Sequence, residues 1–255
     1  MQGSCLCGAV VFEVSGTPRE VIACHCTQCR KWSGHFWAAS SVPSADFRLI
    51  RQDGLAWYRA SPTARRGFCR GCGASLFWVP DAEPRVSFAP GAIDGPTGLK
   101  LARHIFIADA GDYYAPVGPP PAPGPVPTLL TGACLCGAAR FTLPGPAGPV
   151  TACHCRQCRK TSGHYSASFD TSEAGVIWQS HATIAEYRAS GGSQRGFCTT
   201  CGASLYFRAA DGGFSVEAGA IIGATGGRLE SHIFVADKGD YYTLDDGLPQ
   251  HAGRA

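Results

Sequence analysis

The feature that most constrains this chain is a set of cysteines that occurs twice, 129 residues apart. Each copy contains the groups C-x-C, C-x-C-x-x-C and C-x-x-C, and the two copies account for all 14 cysteines. The first copy consists of Cys5, Cys7, Cys24, Cys26, Cys29, Cys69 and Cys72. The second consists of Cys134, Cys136, Cys153, Cys155, Cys158, Cys198 and Cys201. This spacing is typical of metal ligands, and two copies at so long a period indicate a duplicated domain.

A disulfide framework is the alternative explanation of the cysteines, and three observations count against it. The stretch from Met1 to Cys5 shows no basic segment, apolar core or cleavage site of a signal peptide, and reducing compartments keep thiols free. Each half has seven cysteines, an odd number that cannot pair completely within the half. Neighbouring thiols in C-x-C also face one ion more readily than they face each other. We therefore predict zinc ligation and a cytoplasmic protein.

The repeat continues outside the cysteines. Tyr58-Arg59-Ala60-Ser61 recurs as Tyr187-Arg188-Ala189-Ser190. A one-residue deletion then changes the offset to 128, so that His104-Ile105-Phe106 matches His232-Ile233-Phe234. The duplication therefore extends over nearly the whole of each half.

A proline-rich stretch separates the two copies, with seven prolines between residues 116 and 127. Such a stretch favours extended polyproline II and acts as a semi-rigid spacer. We predict a first domain at residues 1–115, a linker at 116–129 and a second domain at 130–255. The halves are expected to pack as a pseudo-dimer, because closed two-fold pairing is the commonest assembly.

The rest of the sequence predicts short strands rather than helices. Gly, Pro, Asp and Ser separate segments rich in β-branched and aromatic residues, at 10–14, 35–42, 55–59, 75–79 and 85–93. The helical candidates are a turn or two around residues 26–33 and, in the second copy, 155–162. Each half is therefore predicted to be an all-β domain held by metal.

Charge and hydropathy exclude two classes of partner. The net charge is only +3, without the Lys/Arg clusters expected of a nucleic-acid surface. No apolar run approaches the ~18 residues that a membrane-spanning helix needs. We expect no membrane association, and we consider nucleic-acid binding the weaker alternative.

The seven cysteines of each half divide naturally into four and three, because a structural zinc takes four protein ligands and a catalytic zinc usually takes three. In this division the C-x-C and C-x-x-C groups form four-cysteine sets: Cys5, Cys7, Cys69 and Cys72, and Cys134, Cys136, Cys198 and Cys201. The three-cysteine sets are then Cys24, Cys26 and Cys29, and Cys153, Cys155 and Cys158. Spacing alone leaves the grouping open, and it also allows a second structural site completed by His25, His35 or His104.

The chain resembles the glutathione-dependent formaldehyde-activating enzyme family, which shares its domain with centromere protein V, in four ordered motifs: G-x-C-x-C-G-x-x-x-F, C-H-C-x-x-C-R-K-x-S-G, R-G-F-C-x-x-C-G-x-S-L and H-I-F. The resemblance implies two tandem β-tent zinc domains. It also implies a structural zinc on each four-cysteine set and an active-site zinc on each three-cysteine set, up to four per chain. The implied activity is that of a carbon–sulfur lyase acting on a thiol–aldehyde adduct such as S-hydroxymethylglutathione, with glutathione as the default thiol.

Three thiolates around Zn²⁺ leave a net charge of about −1, which suits a soft fourth ligand such as a thiolate better than water. The three-cysteine sets are accordingly the predicted catalytic centres. Glutathione carries two carboxylates, which arginine binds in bidentate fashion, and the alternative for each basic residue is an ordinary surface cation. The candidate substrate-binding residues are Arg30, Lys31, Arg59, Arg66, Arg159, Lys160, Arg188 and Arg195.

Two further functions compete with the lyase: a non-catalytic zinc-binding interaction module and a redox-responsive thiol protein. Within the lyase hypothesis, activity is expected mainly in the second half, because the first half has Ala110 in the place of Lys238 and loses the acidic tail that contains Asp246. Asp112-Tyr113 is expected only to close a turn. His104 is expected to satisfy a backbone group, and the same applies to its counterpart in the repeat.

Overall fold

The computed structural model describes residues 1–118, 122, 124 and 126–254. Within residues 1–118 the chain forms ten strands: β1 (Gln2–Ser4), β2 (Val11–Val14), β3 (Val21–Cys24), β4 (Trp37–Pro43), β5 (Phe47–Arg51), β6 (Leu55–Ser61), β7 (Ala64–Cys69), β8 (Ser75–Pro80), β9 (Arg85–Phe88) and β10 (Leu101–Ile105). A two-turn helix, α1 (Thr27–Ser33), follows β3. The short 3-10 helices of this half are Ser44–Asp46, Pro90–Ala92 and Ile107–Asp109.

The second half repeats this order. Its strands are β11 (Leu129–Ala133), β12 (Arg140–Pro144), β13 (Pro149–Cys153), β14 (Ser166–Asp170), β15 (Ile177–Ser180), β16 (Ile184–Arg188), β17 (Gln194–Cys198), β18 (Ser204–Arg208), β19 (Phe214–Glu217) and β20 (Arg228–Ile233). The helix α2 (Arg156–Ser162) follows β13. The 3-10 helices are Glu173–Gly175, Ala218–Ala220 and Val235–Asp237.

Each half contains a three-stranded and a seven-stranded sheet. The orders are β1-β2-β5 and β10-β3-β4-β9-β8-β7-β6 in the first half, and β11-β12-β15 and β16-β17-β18-β19-β14-β13-β20 in the second. All pairings are antiparallel except β10 with β3 and β20 with β13. The all-β prediction and the two short helices are confirmed.

Alternation of buried and exposed residues explains the strands that carry the core. In β2, Phe12 and Val14 point inward while Glu13 is exposed, as the period of two requires. The Phe12 ring packs edge-on against Phe77 at a centroid distance of 5.0 Å. One strand prediction was too long: the strand that begins at Arg85 ends at Phe88, because Pro90 opens a 3-10 turn there.

The two halves contact each other through backbone hydrogen bonds that occur twice: in one the first half donates to the second, and in the other the second half donates to the first. Gly91 N donates to Gly163 O at 3.0 Å, and the corresponding Gly219 N donates to Gly34 O at 2.8 Å. Both acceptor glycines end a helix in the left-handed conformation, with φ of 89° after α1 and 83° after α2. Each helix therefore ends against the opposite half.

A second pair of contacts corrects the expectation that Asp112 only closes a turn. Its carboxylate accepts hydrogen bonds from Thr225 N, Thr225 Oγ1 and Gly226 N at 2.8–2.9 Å. Asp240 accepts in the same way from Thr97 N, Thr97 Oγ1 and Gly98 N at 2.7–2.9 Å. The sequence could not reveal this role, since donor and acceptor are more than 100 residues apart.

The buried core also runs across the junction of the halves. Phe36 packs against Tyr165 of the second half at a centroid distance of 5.4 Å and against His164 at 4.8 Å. The predicted linker at 116–129 falls partly on prolines 119, 120, 121, 123 and 125, which lie outside the described residues. None of the helices in the described part of the chain is long and apolar enough to cross a membrane.

Candidate metal centres

The four-cysteine set of the first half joins the turn after β1 to the β7–β8 hairpin, 62 residues later in the chain. Cys5 and Cys7 lie in the turn between β1 and β2, Cys69 ends β7, and Cys72 lies in the turn before β8. All four sulfur atoms lie within 4.8 Å of one another. The backbone N–H of Val10 donates to Cys5 Sγ at 3.3 Å, as expected for a sulfur that carries negative charge. The second half repeats the set with Cys134, Cys136, Cys198 and Cys201.

The three-cysteine set is built where β3 gives way to α1. Cys24 ends the strand, Cys26 precedes the helix, and Cys29 lies in its first turn, which brings the three sulfur atoms within 4.8 Å of one another. Cys29 is 4% exposed, whereas Cys24 and Cys26 are only partly buried, so one side of the set is accessible. The equivalent set in the second half is Cys153, Cys155 and Cys158.

These donors fit a soft, tetrahedral metal ion. Sulfurs at about 2.3 Å from one zinc in tetrahedral geometry lie about 3.8 Å apart. The Sγ–Sγ distances of the hydrogen-bonded pairs within the sets are 3.4–3.8 Å, far longer than the ~2.05 Å of a disulfide. All 14 cysteines are free, and all belong to the part of the chain that the structure describes. The four sets could therefore bind metal ions.

Hydrogen bonds among the thiols favour ionisation at one position of each three-cysteine set. Cys24 Sγ donates to Cys26 Sγ at 3.5 Å. Hydrogen bonds from Cys24 and Cys29 lower the pKa of the Cys26 thiol. The counterpart Cys155 has its pKa lowered in the same way.

The histidines that sequence reasoning considered as extra ligands lie elsewhere. His25 is fully buried; its Nδ1 pairs with Tyr114 Oη at 2.7 Å and its Nε2 with His104 Nδ1 at 2.8 Å. Burial lowers the pKa of His25 to about 3, so the ring is neutral. His35 Nδ1 pairs with Tyr113 Oη at 2.7 Å. His104 therefore contacts an imidazole, and the predicted backbone contact is wrong.

The second half extends the same chain of hydrogen bonds by one carboxylate. His154 contacts Tyr242 Oη at 2.7 Å and His232 Nδ1 at 2.9 Å, and His232 Nε2 contacts Asp246 at 2.8 Å. Lys238 donates to Tyr242 O at 2.8 Å. In the first half, His104 lines a cavity of about 1080 Å³ between the halves.

Two of the predicted substrate-binding residues touch the three-cysteine sets. Arg66 is 3% exposed, and its Nη2 donates to Cys29 Sγ at 3.5 Å. Arg195 is 7% exposed, and its Nη2 donates to Cys158 Sγ at 3.6 Å. Arg66 lies on β7 and Arg195 on β17, and each side chain reaches the helix that supplies the cysteine.

The other six candidates are not gathered at one site. Arg59 is exposed and forms an ion pair with Asp81 at 2.7 Å, and its counterpart Arg188 is exposed. Arg30 donates to the carbonyl of Asp109, and Arg159 donates across the junction to Gly91 O at 3.5 Å.

The two lysines lie close to the junction. Lys160 is 2% exposed and donates to Ser4 and Ala92 and to the Asp94 carboxylate at 2.5 Å. Lys31 is half-buried, and desolvation lowers its pKa. Substrate binding by these six residues stays a prediction.

A buried carboxyl group next to the second site was missed from the sequence. Glu217 is 3% exposed, and its oxygens accept hydrogen bonds from Ser166 Oγ at 2.8 and 3.0 Å and from Ser204 Oγ at 3.3 Å. Burial raises the pKa of Glu217 to about 7. The corresponding position in the first half is Ala89. Nothing in the local sequence marks Glu217 as buried: the alternation of apolar and polar residues in β19 predicts that Glu217 faces solvent, whereas the structure buries all four residues of the strand.

Comparison with known proteins bears on both halves. The family model described as glutathione-dependent formaldehyde-activating enzyme matches residues 1–109 and again residues 129–237. A putative glutathione-dependent formaldehyde-activating enzyme of Halomonas elongata is 34% identical over 86 residues, which is 31% of this chain and 55% of that protein. An uncharacterized lyase of Schizosaccharomyces pombe is 30% identical over 79 residues, 31% of this chain and 56% of that protein. The chain thus spans about half the length of these curated relatives.

Among solved structures, a crystal structure of a Rhodobacter sphaeroides protein aligns with 41% of this chain and 99% of its own length. Its sequence identity is 26% and its TM-score is 0.33.

Proposed function

Because the chain belongs to the glutathione-dependent formaldehyde-activating enzyme family, with one copy of the family domain in each half, we propose that it is a zinc-dependent carbon–sulfur lyase. Its substrate would be a thiol–aldehyde adduct such as S-hydroxymethylglutathione. Family membership and the lyase named among the relatives support the coarser statement, a lyase-type enzyme linked to glutathione.

The observation that carries the proposal is the three-cysteine set with an accessible side. Cys24 and Cys26 are partly exposed while Cys29 is buried, so a fourth ligand could approach from one direction only. A zinc ion held there would supply a position for the substrate sulfur and stabilise it as a thiolate at neutral pH. The all-sulfur donor set matches this chemistry better than activation of water.

The chain's own residues would hold this centre in place. Neutral His25 lies between two of the cysteines and fixes their loop through hydrogen bonds to Tyr114 and His104. In the cleavage direction the carbon–sulfur bond of the adduct breaks, the sulfur keeps the electron pair as thiolate, and the hydroxyl proton passes to solvent as the aldehyde forms. The reverse reaction makes the adduct.

The four-cysteine sets would hold structural zinc, giving two ions per half and up to four per chain. Their sulfurs come from the first turn and from a hairpin about 60 residues later, so a bound ion closes a long loop and stabilises a small domain. We place the first domain at 1–115, the linker at 116–129 and the second domain at 130–255, in the cytoplasm.

The halves would act as the fused equivalent of a symmetric dimer. This is supported by the paired contacts with exchanged roles: Leu101 N donates to Tyr241 O and Leu229 N donates to Tyr113 O, each at 2.7 Å. Asp112 and Asp240 make the matching side-chain contacts described above.

Activity would reside mainly in the second half. There Asp246 completes the hydrogen-bond chain through His232 to His154, and Lys238 supports Tyr242. A positioned imidazole chain keeps a metal-binding loop in one conformation, and such supporting contacts commonly change activity ~10- to 100-fold.

Turnover of a panel of thiol–aldehyde adducts by zinc-loaded full-length protein tests the proposal. Cys155→Ser should abolish turnover and leave the fold intact, whereas the matched Cys26→Ser should retain most of the activity. The reverse result would place the active centre in the first half. Zinc-loaded protein that turns over no adduct in the panel, yet binds its metal fully, would favour the non-catalytic zinc-binding module instead.

A further inference from the structure

Arg66 and Arg195 are buried cations, and each donates a hydrogen bond to the sulfur of a metal-ligand cysteine. Each Nη2 donates both to sulfur, at 3.5 and 3.6 Å, and to the side-chain oxygen of a glutamine, Gln28 or Gln157, at 3.4 Å. The same two hydrogen bonds, to a glutamine oxygen and a cysteine sulfur, occur in both halves. They therefore belong to the three-cysteine site itself.

Among the described residues neither guanidinium forms an ion pair with a carboxylate, although Glu217 lies near enough to Arg195 to interact with it electrostatically. Within the described residues, neither Arg66 nor Arg195 lies within 4.0 Å of a carboxylate oxygen. Aromatic faces cover them instead, Trp32 for Arg66 and Phe207 for Arg195, each at 4.9 Å from the ring centroid. A buried charge is costly unless an opposite charge lies nearby, and the cysteine thiolates are the groups in contact.

The same burial argues against the carboxylate-binding role expected from the sequence. Arg66 and Arg195 are 3% and 7% exposed. Nε of both residues and Nη1 of Arg66 are buried without a hydrogen-bond partner among the described residues. A bidentate grip on a substrate carboxylate needs N–H groups that a ligand can reach.

We propose that Arg66 and Arg195 balance the charge of the three-cysteine sites so that each can accept a thiolate as fourth ligand. The inference rests on the proposed function, since it assumes a divalent metal on the three sulfurs. Three thiolates and one divalent ion have a net charge of about −1, and a bound substrate thiolate makes the net charge about −2. The adjacent guanidinium returns the total to about −1. The arginines are positioning residues: they contact the metal-ligand sulfur and not the substrate.

Cobalt-substituted full-length protein provides the test, because sulfur-to-cobalt absorption reports both the metal and its fourth ligand. Two ligands separate the alternatives, glutathione and 2-mercaptoethanol, of which only the first carries carboxylates. To observe one site at a time, Arg195→Met is made in a Cys26→Ser background and Arg66→Met in a Cys155→Ser background. Arg48→Met is the control, since Arg48 is 72% exposed and pairs with Glu13 far from any cysteine set.

We expect Arg195→Met to keep the cobalt spectrum of the four-cysteine sites, which verifies folding, and to bind both thiols about tenfold more weakly or worse. Binding of the neutral ligand imidazole should change little, and Arg195→Lys should restore part of the thiol affinity. Weaker binding of glutathione alone would instead identify a carboxylate-binding residue and overturn the inference. Unchanged affinity for both thiols would overturn it as well.

The failure of the proposed function looks different in this experiment. If the parent protein with intact arginines shows no thiol-dependent change at the three-cysteine sites, the open metal position itself is refuted. If the parent responds and the methionine variants respond equally, only the role of the arginines is refuted.

Discussion

Glu217 makes a quantitative prediction about how the stability of this protein depends on pH. Burial raises its pKa from 4.5 to about 7 in the folded state. The folded protein therefore holds this proton more tightly than the unfolded chain does, and the contribution of Glu217 to stability is largest at low pH. It falls as the pH rises from 4.5 towards 7, and it stays lower above that.

The size of the effect follows from the shift. One pKa unit corresponds to about 1.4 kcal/mol, so the full penalty for ionising this fully buried group is about 3 kcal/mol above pH 7. Glu217→Gln removes the ionisable group and keeps an oxygen that can accept from Ser166 or Ser204. The variant also places an amide N–H₂ in the site, whose cost does not vary with pH. The prediction therefore concerns how steeply the free energy of unfolding changes with pH, compared between Glu217→Gln and the parent protein.

Urea unfolding of the metal-loaded protein at several values between pH 5 and 8 measures this difference. The free energy of unfolding of Glu217→Gln, relative to the parent, should rise by about 2 to 3 kcal/mol across the range. The buried His35 and His164, whose pKa values burial holds well below normal, act in the opposite direction and are common to both proteins. Exposed Glu20→Gln is the control. Parallel curves for Glu217→Gln and the parent would refute the reasoning.

Three further predictions concern the metals and the junction. Elemental analysis of gently purified protein should find up to four zinc ions per chain, and finding one per half with Cys24, Cys26 and Cys29 freely alkylated would contradict the two-site scheme. Cys201→Ser should unfold the second domain in thermal melts, because loss of a structural zinc removes stability on the order of a small domain's total, about 5–15 kcal/mol. Asp112→Ala should lower the free energy of unfolding by about 2–3 kcal/mol through the lost contacts to Thr225 and Gly226, and Asp240→Ala should do the same, whereas exposed Asp53→Ala should change little.

The sequence predicts well those structural features that depend on residues close together along the chain. The C-x-C and C-x-x-C groups form turns that bring two sulfurs together, so the cysteines that are neighbours in each set follow from spacing. Spacing leaves open which groups combine into one set, and the fold decides it. The helix after Cys26 follows equally from local signals. Contacts between distant segments carry no such signal. The sequence around Asp112 suggests a turn residue, and only the fold places Thr225 beside it. The sequence around Arg66 suggests a surface cation, and only the fold places its guanidinium against Cys29 of α1.

The junction between the halves also has an evolutionary consequence. In a dimer of identical chains any substitution appears twice and must suit both copies of the interface. A tandem chain is free of this constraint, since each position is encoded separately. Among the described residues the Lys160–Asp94 ion pair has no equivalent at Lys31, because the position that corresponds to Asp94 is Ile222. If one half retains the active site, the other half can diverge and serve only as its packing partner. Because the two halves are covalently linked, their association needs no diffusional encounter.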